Sequence, residues 1–263
     1  ATIGSRQRIR QISIDAAISF HQQNYSAARA TLLISGNLQA EDVDALLKQK
    51  FSELPIVPYD SRAFSLPLPP PQQDPVEIST SATTTPVVIS VRYAEPLDRA
   101  PTGIDLATYD ILDAILASSR EGGLNKPLYY VEFWVEDIGI WTDLLPQLHP
   151  ELFIQMVPDP DINAPELITK LEATLLGIAQ TGIPPDTFEA VRADLVQTRS
   201  RLMKETDLQR RYAHLTARHL GAPLAYEDSI ALLESVTLEQ VDAALLRLVN
   251  SAQRISGIAY PKE

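Results

Sequence analysis

Seven prolines stand between positions 55 and 75, at Pro55, Pro58, Pro67, Pro69, Pro70, Pro71 and Pro75, and they constrain this chain more than any other feature. Proline fixes φ and removes a hydrogen-bond donor, so neither a helix nor a central strand can run through such a stretch. The run Leu66 to Pro75, LPLPPPQQDP, therefore reads as an extended spacer, partly polyproline II, that cuts the chain into a short leading piece and a longer trailing one. An SH3-type ligand is the other reading of Pro69-Pro70-Pro71; inter-domain spacers are far commoner.

The trailing piece alternates strand-like and helix-like segments. Val76 to Ser81 and Pro86 to Tyr93 are β-like and are expected to pair; in the second, Val87, Ile89 and Val91 alternate with Val88, Ser90 and Arg92. Thr102 to Ser118 is a helix apolar nearly all round, which implies burial against more than one neighbour. Gly122-Gly123 interrupts, and Val131 to Trp141 and Glu151 to Val157 supply further strands. Asn163 caps a helix reaching Thr181, Pro184-Pro185-Asp186 opens another, and a third runs from about Leu208 to a stop at Gly221. Thr237-Leu-Glu-Gln is a capping box whose helix ends near Asn250, and Arg254-Ile-Ser-Gly-Ile-Ala closes as a strand.

The leading piece repeats the end of the trailing one. Ile12-Ser-Ile-Asp matches Val236-Thr-Leu-Glu: an apolar residue, a hydroxyl cap, another apolar residue, an acid and a helix. A short strand then begins 17 positions after the cap, at Ala30 after Ser13 and at Arg254 after Thr237. The first copy continues through the strand Ala30 to Ser35, a Gly36-Asn37 turn and a helix from about Glu41 to Phe51. We therefore expect residues 1–55 to be the C-terminal end of a preceding related αβ domain, 56–75 to be the linker, and 76–263 to be a complete second domain.

Composition narrows the partners. Against 22 basic side chains stand 34 acidic ones, a net charge of −12, which disfavours a nucleic-acid backbone as partner. No apolar run reaches the roughly 20 residues needed to cross a bilayer, so membrane insertion is not expected. With no cysteine, disulfides, thiolate catalysis and cysteine-bound zinc are excluded.

Residues able to carry chemistry have bland readings that outweigh the functional ones. His214 and His219 are five apart, about 140° around a helix, where a zinc pair prefers a spacing of four. His21 and His149 read as cap or surface residues. Asp159-Pro-Asp-Ile-Asn opens like a calcium loop, but Ala164 and Lys170 occupy the positions that need glycine and glutamate, and helix capping by Asn163 is the better account. Ser118-Ser119 lacks a nucleophile elbow and a base, and Gly122-Gly123 suits a tight turn better than a phosphate cradle. Tyr129-Tyr130 and Phe133-Trp134 read as core or sheet packing ahead of substrate contact. No catalytic or metal residue is assigned, and no substrate-binding residue either.

Phe20-His, Tyr25, the apolar run Ala30 to Gly36 and Phe51-Ser-Glu-Leu-Pro together resemble the M16 metallopeptidase family, which includes insulin-degrading enzyme, mitochondrial processing peptidase and bacterial zinc proteases. Leu116-Ala-Ser-Ser-Arg-Glu-Gly-Gly-Leu-Asn-Lys-Pro-Leu resembles the family's helix-to-Gly-Ser-Arg-Leu turn, and Arg199 to Leu220 resembles a helical segment of bacterial members. The resemblance implies an α+β fold of the LuxS/MPP-like metallopeptidase type, with a mostly antiparallel sheet packed by helices. It also implies two such halves closing like a clamshell around a peptide substrate. The family's zinc sits in a His-x-x-Glu-His helix that this sequence lacks, so zinc is expected in an N-terminal domain or a homologous M16 subunit as partner, and not in this stretch. The family's accessory Arg and Tyr fall here on Tyr129 and Glu136, which do not match them. By the same resemblance, a bacterial periplasm or cell envelope is the expected location. The rival expectation is a scaffold or assembly protein that keeps the fold without a role in proteolysis.

Overall fold

The computed structural model describes residues 6–25, 30, 32, 34, 37–52, 76–79, 86–95, 99, 101–144, 150–202, 205–220, 224–251 and 254–261. Contacts divide the chain into two compact units, Ala1–Ala63 and Phe64–Glu263. The proline-rich stretch from 56 to 75 lies outside the described residues, as do Gly36, His149 and Gly221.

Among its described residues the first unit holds three helices, α1 (Arg6–Gln11), α2 (Ile14–Asn24) and α3 (Ala40–Phe51). The Ser13 hydroxyl accepts the Ala16 N–H at 3.1 Å, as its position before an apolar-periodic run predicts. None of the unit's described side chains is buried, and Ile14 is 79% exposed. The strand expected over Ala30 to Ser35 falls mostly outside the description. Its described members, Ala30, Leu32 and Ile34, carry no strand structure.

The second unit runs β1 (Val76–Ser79), β2 (Val88–Ala94), α4 (Gly103–Leu116), a π-helical turn (Lys126–Val131), β3 (Val135–Leu144), β4 (Pro150–Pro158), α5 (Ala164–Thr181), α6 (Pro185–Leu202), α7 (Thr206–Leu220), α8 (Tyr226–Ser235), α9 (Leu238–Asn250) and β5 (Arg254–Tyr260). It is an α+β unit with a mixed, mostly antiparallel sheet. The capping signals hold: Thr102 with Asp105 and Thr237 with Gln240 each form a capping box. Asn163 takes the N-cap position of α5 without a side-chain cap bond. Helix α8 was not foreseen; its N-cap is Ala225, which offers no polar side chain to announce a helix start.

Strand order in the five-stranded sheet is β1-β5-β2-β4-β3. The expected pairing of the first two strands is corrected here: β5 lies between them, parallel to β1 and antiparallel to β2. An apolar central strand gains ladder partners on both sides, which a two-strand hairpin cannot offer. The strand expected over Val131 to Trp141 begins later, at Val135, because the π-helical turn takes its first residues.

Alternation assigns the two faces of the sheet. Ile89, Val91, Leu152, Ile154, Met156 and Ile258 share one face and are fully buried among the apolar stripes of α4, α5 and α9. Burying each such side chain is worth roughly 1.5–3 kcal/mol. Helix α4 is buried nearly all round, as its sequence requires. A polar clasp fastens this layer: buried Glu95 accepts the Tyr109 hydroxyl at 2.6 Å and Arg247 Nε at 2.5 Å, joining the end of β2 to α4 and α9. Burial, and next the Glu95 carboxylate, push the Tyr109 phenol well above its ordinary range, so it stays a donor.

Candidate functional site

The sheet's second face is open within this unit, and the strand registers place its residues in rows. Ile255, Arg92, Phe153 and Trp141 stand side by side across β5, β2, β4 and β3. The adjacent row is Gly257, Ser90, Gln155 and Gly139; on the other side stand Ala94, Glu151 and Asp143. Of these, Gln155, Trp141 and Asp143 are exposed, and Ser90, Arg92 and Phe153 are half-buried. Arg92 Nη2 is ion-paired with the buried Glu151 carboxylate. Trp141, 41% exposed, lies 4.5 Å from Phe153, centroid to centroid, with 34° between the rings. Its indole also folds over Gly139, where an added Cβ would come within 3.1 Å of Cζ3. A bare backbone position thus lets an aromatic ring lie flat on the sheet.

Beside edge strand β3 stands a second apolar surface. The π-helical turn buries Leu128 but turns Tyr129, Tyr130 and Val131 outward. Phe133 follows at φ 53°, a conformation costly for a side chain with a Cβ, and is 67% exposed. The packing reading of Tyr129, Tyr130 and Phe133 is corrected by these exposures. Only Trp134 is half-buried; its indole N–H donates to Glu132 Oε2 at 2.9 Å, and Lys170 sits 5.4 Å from its ring while pairing with Glu132. The hydrogen bond from Lys170 holds the Glu132 carboxyl below its ordinary range. Glu136 is exposed at the bulge that opens β3.

The outer edge of β3 is partly covered. The Thr142 hydroxyl donates to the Tyr109 carbonyl at 3.1 Å, and its backbone N–H is bonded to the Asp113 carboxylate of α4. Burial, despite that N–H, raises Asp113 to about 6, with nearby Asp110 adding to the rise. Asp110 is raised by burial too, although Arg199 pairs with it at 2.8 Å. Arg199 also lines a cavity of about 400 Å³ between α6, α7 and the start of α8, otherwise bounded mainly by Leu195, Leu202, Leu215 and Tyr226. Its guanidinium is already committed to Asp110 and the Tyr212 ring.

The remaining sequence candidates stay apart. His21 lies on α2, stacked 4.9 Å from Tyr25. His214 and His219 are both on α7, whose described backbone places them five residues apart. Asp159 Oδ1 accepts the Asp161 N–H at 3.1 Å, a local turn. Gly122, at φ 82°, makes the tight turn expected of it. Ser118 donates to the Ile115 carbonyl at 2.7 Å. Among the described residues no group of three or more His, Asp or Glu side chains could hold a metal ion. Among the described residues, then, zinc finds no set of donors, and no helix there is long and apolar enough to cross a membrane.

Comparison with known proteins follows the same lines. The model of the family described as Peptidase M16 inactive domain matches residues 11–195. No curated protein matches the chain. Among solved structures, a putative M16-like peptidase from Alicyclobacillus acidocaldarius superposes with a TM-score of 0.74 at 18% identity, covering 98% of this chain and 60% of that one. A peptidase M16 inactive domain from Pseudomonas fluorescens gives 0.71 at 17%, covering 100% and 61%. The periplasmic protease PqqL from Escherichia coli gives 0.72 at 17%, covering 97% and 28%. The chain thus spans less than two thirds of each of these relatives. With a match across most of its length, the chain belongs to the M16 peptidase family, in its inactive-domain branch.

Proposed function

We propose that this chain is the non-catalytic C-terminal part of an M16 zinc metalloendopeptidase, or of its inactive partner subunit, and that its open sheet face lines a clamshell chamber for peptide. The carrying observation is the one-sided sheet: helices cover one face, and the other presents Trp141, Phe153 and Gln155 outward. Apolar rings laid on a rigid sheet suit an extended chain with little structure of its own. Zinc and hydrolysis belong to an N-terminal domain or a homologous M16 subunit. Residues 1–55 are read as the end of that preceding related domain, with 56–75 as the linker and 76–263 as the complete second domain. The Tyr129 to Phe133 surface would extend the peptide-facing wall, with Tyr129 and Glu136 where catalytic relatives use Arg and Tyr. A periplasmic or envelope location accords with PqqL, a periplasmic protease.

The test is peptide binding by the purified chain, followed by fluorescence. Unstructured peptide should bind without being cleaved, and Gln155→Arg or Phe153→Ala should weaken binding, whereas substitution of exposed Glu166 on α5 should not. Peptide turnover with stoichiometric zinc would refute the non-catalytic assignment. Peptide binding indifferent to the open face would favour the scaffold reading instead.

A further inference from the structure

The open face is electrostatically lopsided along β3. Its cation, Arg92, is spent on Glu151, whereas Asp137 and Asp143 are exposed and have no ion-pair partner among the described residues. Both aspartates point to the same side as Trp141, because Asp137, Gly139, Trp141 and Asp143 alternate along one strand. Asp143 is two residues from Trp141 and Asp137 four residues from it, roughly 7 Å and 13 Å at strand spacing. Between Asp137 and the indole lies only Gly139, with no side chain of its own. An exposed π-face held flat by Phe153, with a carboxylate at each end, is complementary to a cation that also has an apolar stem. A guanidinium or ammonium over the ring would gain from the ring quadrupole and from the carboxylate at the end of the ring it reaches, with the other adding a weaker, salt-screened attraction. A carboxylate ligand would meet the same two aspartates as repulsion, with Arg92 already neutralised.

The geometry points to a subsite on the open face, built from Trp141, Asp137 and Asp143, that takes a basic side chain, arginine or lysine, of the enclosed peptide. This rests on the reading that the open face meets peptide, and it adds a specificity: the chain selects for positively charged segments. The long aliphatic stem of either side chain would pack on the outward face of the indole while its charged head reaches a carboxylate beyond the ring. None of the three residues has a part in the buried layer, so all three can be replaced without touching the core.

The experiment compares three labelled, extended peptides that differ at one central residue: arginine, its uncharged isostere citrulline, and glutamate. Affinities for the full 263-residue chain are read by fluorescence anisotropy at low and at moderate salt. The arginine peptide should bind about tenfold more tightly than the citrulline peptide at low salt, with a smaller margin at higher salt. Asp137→Asn with Asp143→Asn should collapse that margin while leaving the citrulline peptide's affinity unchanged. Trp141→Leu should reduce the margin and Trp141→Phe restore most of it; far-ultraviolet circular dichroism and melting confirm that each variant is folded. Equal affinity for arginine and citrulline peptides, with binding still sensitive to Phe153→Ala, would overturn the subsite and leave the sheet-face reading standing. Tighter binding of the glutamate peptide would overturn it in favour of an anion site at Arg92. Failure of all three peptides to bind, or binding indifferent to every open-face substitution, would refute the sheet-face reading and the subsite together.

Discussion

Helices α2 and α9 begin with nearly the same words, a hydroxyl cap followed by an apolar residue and an acid, yet they live in opposite surroundings. In α9, Val241, Ala244, Leu245 and Leu248 are wholly buried. In α2, Ile14 and Ile18 are 79% and 50% exposed. Both caps form, at Ser13 and at Thr237. Local signals are thus satisfied alike in both segments, and what differs among the described residues is whether the apolar stripe is covered. A helix start is a local event of a few hydrogen bonds, whereas a stripe becomes a core only when other elements cover it.

The sharpest way to break that comparison is truncation on the two stripes. Leu245→Ala should cost about 2–5 kcal/mol in chemical denaturation of the second unit, while Ile18→Ala should change stability by about 0.5 kcal/mol or less. Equal losses would mean that the first copy is buried after all. The clasp is next in size. Glu95→Ala leaves Tyr109 and Arg247 without their acceptor and should cost about 1–3 kcal/mol, again by denaturant titration. Nothing comparable is available to remove from α2, whose capping bond is an exposed one.

Smaller still are the caps themselves. Thr237→Ala should cost about 1 kcal/mol, and Ser13→Ala, on a helix with no buried face, should show as a loss of helicity by circular dichroism with little change in the melting of the second unit. The pH test concerns the second unit alone. Asp113 is protonated up to about 6 in the fold but only to its ordinary 3.8 when unfolded, so the folded state binds the extra proton and stability falls as pH rises between those values. Asp113→Asn should therefore gain about 1 kcal/mol at pH 7.5, after allowing for solvent screening of a half-buried group, and nothing below pH 3.5. A gain that persists at acid pH would point to a cause other than ionisation.

Legibility followed the range of the signal. The capping boxes, the all-round apolarity of α4 and the alternation of Ile89 and Val91 were readable because each is written within one turn or one strand. Strand partners were not: Val76 and Val88 lie close in sequence, but the β5 ladder between them is supplied by residues more than 150 positions away. The outward aromatics escaped for another reason. A π-helical turn rotates each residue by less than the α-helical 100°, so neither helical nor strand periodicity sorts Tyr129, Tyr130 and Phe133 correctly. The Trp141 platform needed two facts at once, the register that sets Phe153 beside it and the glycine beneath its ring. Family motifs located the fold without these, while the exposure of Tyr129 and Glu136 became visible only in the structure.

The position of β5 has a consequence for how the molecule is made. Strands β1 and β2 share β5 as a partner, and β5 follows every other strand of this unit in sequence; β2 also has β4 on its other side. A nascent chain on the ribosome can form α4, the β2-β4-β3 ladders and the α5-α6 region, but β1 and one edge of β2 stay unpaired until residues 254–260 leave the exit tunnel. Until then, β1 and that edge of β2 are offered to any other strand nearby, which makes this interval the one in which a chaperone would matter most.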